Sequence, residues 1–244
     1  MKALITLITL FISTVLFAKE TRKVSTFSSI SIGTSIQASY IHSDRNEVVL
    51  TAEDANHLKH ITTVVKNGTL DIRIDNKGFR NIRQVKAIIY GPNKLNNIIV
   101  SSSAQLSITP LVESSNTNIK VNSSGMLTAN VKANALSIDV SSSGNFKGSI
   151  SVEELTCKVS SSGRAVVDGT ANQTIIQTSS SGKADLTNVK TTDATVSASS
   201  SGQAMIAVDE SITAKASSSG KITYSGSPKN KQVSTSSSGK IVSK

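Results

Sequence analysis

The chain has 244 residues, 26 basic against 16 acidic side chains, and 3% aromatics with no tryptophan. One cysteine excludes an internal disulfide, so the fold must stand on its packing. So few aromatics make poor stacking platforms for neutral sugars or single-stranded nucleic acid, and no nucleic-acid partner is expected.

Residues 1–18, MKALITLITLFISTVLFA, run from one lysine through an apolar stretch to the small residue Ala18. That is the layout of a secretory signal peptide cleaved after Ala18. The run is short for a spanning helix, and no later segment is apolar enough to cross a bilayer. No membrane span is therefore expected after cleavage, and the expected location is the periplasm, cell surface or extracellular space. Cleavage removes Lys2 alone, which leaves 25 basic against 16 acidic residues, a charge of +9. A basic exported protein is biased toward polyanions such as acidic glycans.

Residues 19–100 read as a β-rich N-terminal part, either a cap or irregular first coils. FSSISI (27–32), SIQASYI (35–41), EVVL (47–50), TLDIRI (69–74) and VKAIIY (85–90) are β-branched or alternating. Asn67-Gly68 is a hairpin-turn signal, and EDANHLKHI (53–61) predicts a short helix. Arg73, Lys77, Arg80, Arg83 and Lys86 form a basic knot.

From 101 to 244 the chain repeats. Ala104, Gly125, Gly144, Gly163, Gly182, Gly202, Gly220 and Gly239 end successive tetrapeptides, mostly Ser-Ser-Ser-Gly, at intervals of 21, 19, 19, 19, 20, 18 and 19. A period held over eight copies is the signature of a solenoid and excludes a flexible linker. Six residues before each end stand Ile98, Ile119, Ile138, Cys157, Ile176, Val196, Ala214 and Val233. Four before stand Val100, Val121, Val140, Val159, Thr178, Ala198, Ala216 and Thr235. Two after stand Leu106, Leu127, Phe146, Ala165, Ala184, Ala204, Ile222 and Ile241.

Small or apolar residues two apart, with polar ones between, mean strands with one inward face. Each copy reads as strand, Ser-rich bend, strand and a variable connection such as DGTANQ (168–173). One copy cannot bury its apolar face alone; stacked copies can. The predicted fold is all-β, a right-handed parallel β-helix of about nineteen residues per coil behind an irregular β-rich cap. Extending the same alternation through the bend points the middle serine and the glycine inward, and the first and third serines outward. Glycine there would also accommodate unusual backbone angles.

VSTFSSISIGTSIQASYIHSDRNEVVL, VKNGTLDIRI and the coils turning on Ser-Gly resemble the auto-transporter adhesin head GIN domain family, from about Phe27 to near Tyr224. The resemblance implies an exported β-helix related in shape to pectin lyases, without their catalytic residues and with an adhesive role.

The residues themselves give little chemistry. Asp139, Asp168 and Asp185 lie five before, five after and three after their respective glycines, so the acids do not align on one wall. His42, His57 and His60 all precede the repeats, so no base recurs with the serines. HLKH lacks a third metal ligand, and neither a cofactor nor a metal is expected. Cys157 fills a slot held elsewhere by isoleucine or valine and reads as a small buried hydrophobe. The residue after each glycine should face outward, which stacks Arg164, Lys183, Lys221 and Lys240 on one wall as candidate binding residues for an acidic glycan or other cell-surface polyanion. The leading reading is a non-enzymatic envelope or surface binding module. The rivals are a degenerate polysaccharide-active enzyme and a purely structural spacer.

Overall fold

The nineteen-residue ruler becomes the pitch of a β-solenoid of about eight turns. The computed structural model describes residues 17–75, 82 and 84–244, so most of the expected signal peptide, and Lys77, Arg80 and Arg83 of the basic knot, lie outside the described residues. Among the described residues no helix is long and apolar enough to cross a membrane.

The N-terminal strands are β1 (Ala18–Lys23), β2 (Ser29–Ile32), β3 (Gln37–His42), β4 (Glu47–Ala52), β5 (Ile61–Lys66), β6 (Thr69–Ile74) and β7 (Lys86–Gly91). One short helix, α1 (Ala55–Lys59), lies where it was expected; Asp54 caps it by accepting from the Asn56 N–H at 2.8 Å. Asn67 and Gly68, with φ of 50° and 71°, make the tight turn of the β5–β6 hairpin. Strands β1 and β5 were not legible in the sequence.

This region is both coil and cap. Strands β6 and β7 form one level of the solenoid, and β2 and β3 the next, because β2 pairs in parallel with β6 on one side and β8 (Asn97–Val100) on the other. Similarly β3 lies between β7 and β9 (Gln105–Val121). A segment early in the chain is thus threaded between two later ones. Beyond these levels the pairing turns antiparallel: β5 on β6, β4 on β7 and β1 on β4. A parallel stack must end in unpaired backbone groups, and the antiparallel strands cover that edge.

The regular coils follow as β10 (Met126–Val140), β11 (Asn145–Val159), β12 (Arg164–Thr178), β13 (Lys183–Ala198) and β14 (Gln203–Ala216), all parallel, with register shifts between Val166 and Asp168 in the β12–β13 pair and at Leu186/Lys190 and Thr191/Asp193 in the β13–β14 pair. Segment 168–173 was read as a variable connection, yet Asp168, Gly169, Thr170 and Ala171 pair with both neighbouring coils inside β12. Each regular coil is therefore one long bent strand plus one tight turn. The chain closes with β15 (Lys221–Ser225), β16 (Asn230–Thr235) and β17 (Lys240–Ser243). The apolar columns face inward as expected, with Ile98, Ile119, Ile138, Cys157, Ile176, Val196 and Ala214 all buried. Val233 breaks the column at 56% exposure, since no coil covers it.

The serine turn departs from the expected parity. Ser141 is half-buried, Ser142 and Ser143 are both exposed, and only Gly144 is inside. Ser142 and Ser143 take φ of 48° and 60°, and the Gly144 N–H donates to the Ser141 carbonyl at 2.8 Å, as in a type I′ turn. Alternation holds only through extended residues, and two left-handed residues reset it. Gly144 is thus not where the unusual angle falls. Its requirement is space: a Cβ there would lie 2.4 Å from the Val121 carbonyl oxygen of the preceding coil. The turns also bond to one another, the Ser143 N–H donating to the Ser161 carbonyl at 3.0 Å and the Ser162 N–H to the Ser180 carbonyl at 3.0 Å. Thr34 and Ser35 (φ 58° and 56°) form the same turn in the threaded coil, with the Ser35 N–H donating to the Ser102 carbonyl.

Candidate functional site

The stacked turns set the outer face. Because every turn closes at the same height, the residue that follows it emerges at the same place on every level. The register is Lys86↔Gln37, Gln37↔Gln105, Gln105↔Met126, Met126↔Asn145, Asn145↔Arg164, Arg164↔Lys183, Lys183↔Gln203, Gln203↔Lys221 and Lys221↔Lys240. Arg164, Lys183, Lys221 and Lys240 are brought into one outward column, with Gln203 between the two pairs. Lys183 is half-exposed and the other three are exposed. Neighbours in the column are ~4.8 Å apart at the backbone, so their like charges repel, and among the described residues none of the four enters an ion pair. Lys86, from the expected basic knot, stands at the far end of the same column. Arg73 instead faces another wall and pairs with Asp71.

The next outward column on this wall is mixed. Lys147 pairs in register with Val166, Val166 with Asp185, and Asp185 with Met205. Asp185 is the acid closest in sequence to the cationic column, and its carboxylate accepts from the Thr187 hydroxyl at 2.8 Å. The surface therefore offers a row of long flexible cations beside a row that is largely neutral.

Among the described residues no group of three histidine, cysteine, aspartate or glutamate side chains could hold a metal ion. Three of the repeat acids are engaged across coils: Asp168 accepts from Asn188 at 2.9 Å, Glu210 pairs with Lys229 at 2.9 Å, and Glu153 accepts from Asn172. Cys157 is fully buried, and burial first, then the charge of Asp139, pushes its thiol up to about 12. Such a thiol stays protonated and unreactive. Burial likewise raises the Tyr40 phenol, whose hydroxyl donates to the Pro92 carbonyl.

One feature was not singled out from the sequence. On the wall formed by the middle of the long strands lies a groove of about 800 Å³, lined mainly by polar side chains between Lys94 and Asn172, with Ala133 and Val152 among them. Aligning the repeats would have shown asparagine or glutamate at 134, 153 and 172, nineteen apart, but no motif sets them off from ordinary surface.

The geometry agrees with what comparison with known proteins finds. Solved structures share the fold over nearly the whole chain, among them a "putative lipid binding protein" from Parabacteroides distasonis (24% identity, TM-score 0.81, covering 93% of this chain and 96% of that one). A "putative adhesin" from the same species has 19% identity and a TM-score of 0.84 over 94% and 97% of the two chains. A "putative adhesin" from Bacteroides fragilis has 22% identity and a TM-score of 0.69 over 95% and 98%. No curated protein matches the chain. A family profile described as "Putative auto-transporter adhesin, head GIN domain" matches residues 26–228. The chain belongs to that family, and the match takes in both the threaded first coils and the regular serine-turn coils.

Proposed function

We propose that the protein is an exported, non-enzymatic, adhesin-like module of the cell envelope or surface that holds acidic glycans or related polyanions along its cationic column. The supporting observation is the register that aligns Arg164, Lys183, Lys221 and Lys240 on one wall. Exposed cations at a fixed pitch present a linear field to an extended anion, and the attraction weakens as salt screens it. The family's name and those of its structural relatives, which speak of adhesins, support the adhesive part of the reading. The same names, which speak of adhesins and not of enzymes, support the non-enzymatic part. Export rests on residues 1–18, and native protein recovered from cells should begin at Lys19 by mass spectrometry. An intact Met1 in the exported fraction would refute it.

The test of the column is a pair of triple variants measured against dextran sulfate and polygalacturonate. Arg164→Gln with Lys183→Gln and Lys221→Gln should weaken binding while leaving the melting temperature unchanged, because exposed positions contribute little to stability. Lys190→Gln with Lys215→Gln and Lys229→Gln removes the same charge from outside the column. The loss from the first set should be the larger, most clearly at low salt. Equal losses would assign the attraction to net charge alone, and no binding by the wild type at low salt would leave the structural-spacer reading.

A further inference from the structure

We infer that the groove on the long-strand wall is a second binding site, for an uncharged linear oligosaccharide lying along the solenoid axis. Two outward columns build it. Glu113, Lys132, Ser151 and Thr170 stand in direct register on successive coils. Asn134, Glu153 and Asn172 occupy equivalent places one pitch apart, each between matched pairs such as Ala133↔Val152 and Ala135↔Glu154. The residues between the columns, Ala133, Val152 and Ala171, point into the core and keep the floor fixed.

The rim is preorganised. Thr117 is buried, its hydroxyl 2.8 Å from that of Ser114 and 3.3 Å from the Leu95 carbonyl, and the Asn118 N–H donates to the Asn96 carbonyl at 2.7 Å. The Asn172 amide donates to Glu153, so one carboxylate is oriented across two coils. Rigid polar groups of this kind bind without a large ordering cost.

The chemistry selects the ligand class. The lining carries two lysines and two glutamates, so it has no net charge to hold a polyanion. Its lining is more polar than apolar, and Ala133 and Val152 are the only apolar residues in it, which gives no continuous apolar track for an acyl chain or for the side chains of a peptide. Amides that both donate and accept, beside carboxylates that accept, match the hydroxyls of a sugar. The groove spans five levels of the stack, from Lys94 to Asn172, which at ~4.8 Å per step is about 19 Å, several hexose units long. With no aromatic platform in it, recognition rests on hydrogen bonds, and affinity should grow with ligand length. This site faces a different wall from the cationic column and needs neither that column nor its polyanion.

The experiment titrates the full-length mature protein with cellohexaose, mannohexaose and xylohexaose, and with their trisaccharides, at about 1 M salt, where charges are screened beyond about 3 Å. At least one hexasaccharide should bind, and about tenfold more tightly than its trisaccharide. Amide shift perturbations in the wild type should centre on Asn134, Ser151 and Asn172. Asn134→Ala with Asn172→Ala, and separately Ser151→Leu, which fills the groove, should each weaken binding about tenfold. The Arg164, Lys183 and Lys221 triple variant should bind as the wild type does, which separates this site from the column. The inference fails if no hexasaccharide binds, if perturbations fall on another wall, or if folded groove variants bind unchanged. Equal binding of an uncharged alanine–serine hexapeptide would make the groove a peptide site instead.

Discussion

Gly144 and Ser143 are neighbours in one turn, yet the two positions should respond to substitution in opposite ways. Gly144→Ala places a Cβ against the Val121 carbonyl, and the coil beneath cannot withdraw without breaking its ladder. A cost of about 2–3 kcal/mol is expected, as for overpacking of a filled core. Ser143→Gly relieves a left-handed residue worth ~1 kcal/mol but frees the unfolded chain by a similar amount, so its melting temperature should barely move. Chemical denaturation of both variants checks the pair. Cys157 supplies a second test. Its folded thiol titrates near 12 against an ordinary value of 9.0, so its contribution to stability is full below pH 9 and is lost as pH rises toward 12. Cys157→Val should cost less than about 1.5 kcal/mol at neutral pH. Between pH 9 and 12 the wild type should lose stability relative to that variant, as melts across the range would show.

At the scale of elements, the two ends of the stack differ. The first levels are covered by β1, β4 and β5, whereas β16 is exposed along all six residues and lies on a free edge. Lys231 and Lys240 stand on that edge, and charges there discourage further pairing. Local opening should follow the same gradient, because each level of a solenoid is held only by its neighbours. Amide hydrogen exchange should be fastest in β16 and β17 and slowest in β10 to β13. Fast exchange in β2 and β3 would contradict the threaded arrangement, in which that level is paired on both sides.

For the molecule as a whole, position in the stack outweighs position in the repeat. Ile138 and Val233 hold the same place in the alignment, but the first is 0% and the second 56% exposed. Ile138→Asp should bury an unpaired charge and cost several kcal/mol, on the order of 4 or more. Val233→Asp should cost below about 1 kcal/mol, since the aspartate stays in water. Thermal melts of the two variants check this, and a harmless aspartate at 138 would show the inward face to be misassigned. The two proposed binding faces are separate for the same reason: each is a column repeated along the axis, on a different wall of one rigid stack.

The repeat length, the inward columns and the outward row of Arg164, Lys183, Lys221 and Lys240 were all legible in the residues, because alternation along a strand and a constant period are local properties that stacking only multiplies. The short helix and the Asn67-Gly68 turn were legible for a similar reason. The orientation of Ser142 was not, since two left-handed residues interrupt the alternation and nothing in a run of serines marks where. Nor could the sequence reveal that residues 29–42 slip between 69–91 and 97–108, that β1 and β5 close the end, or that side chains nineteen apart enclose a groove. Those features depend on which edge meets which surface, and edges are chosen by pairing across the whole stack.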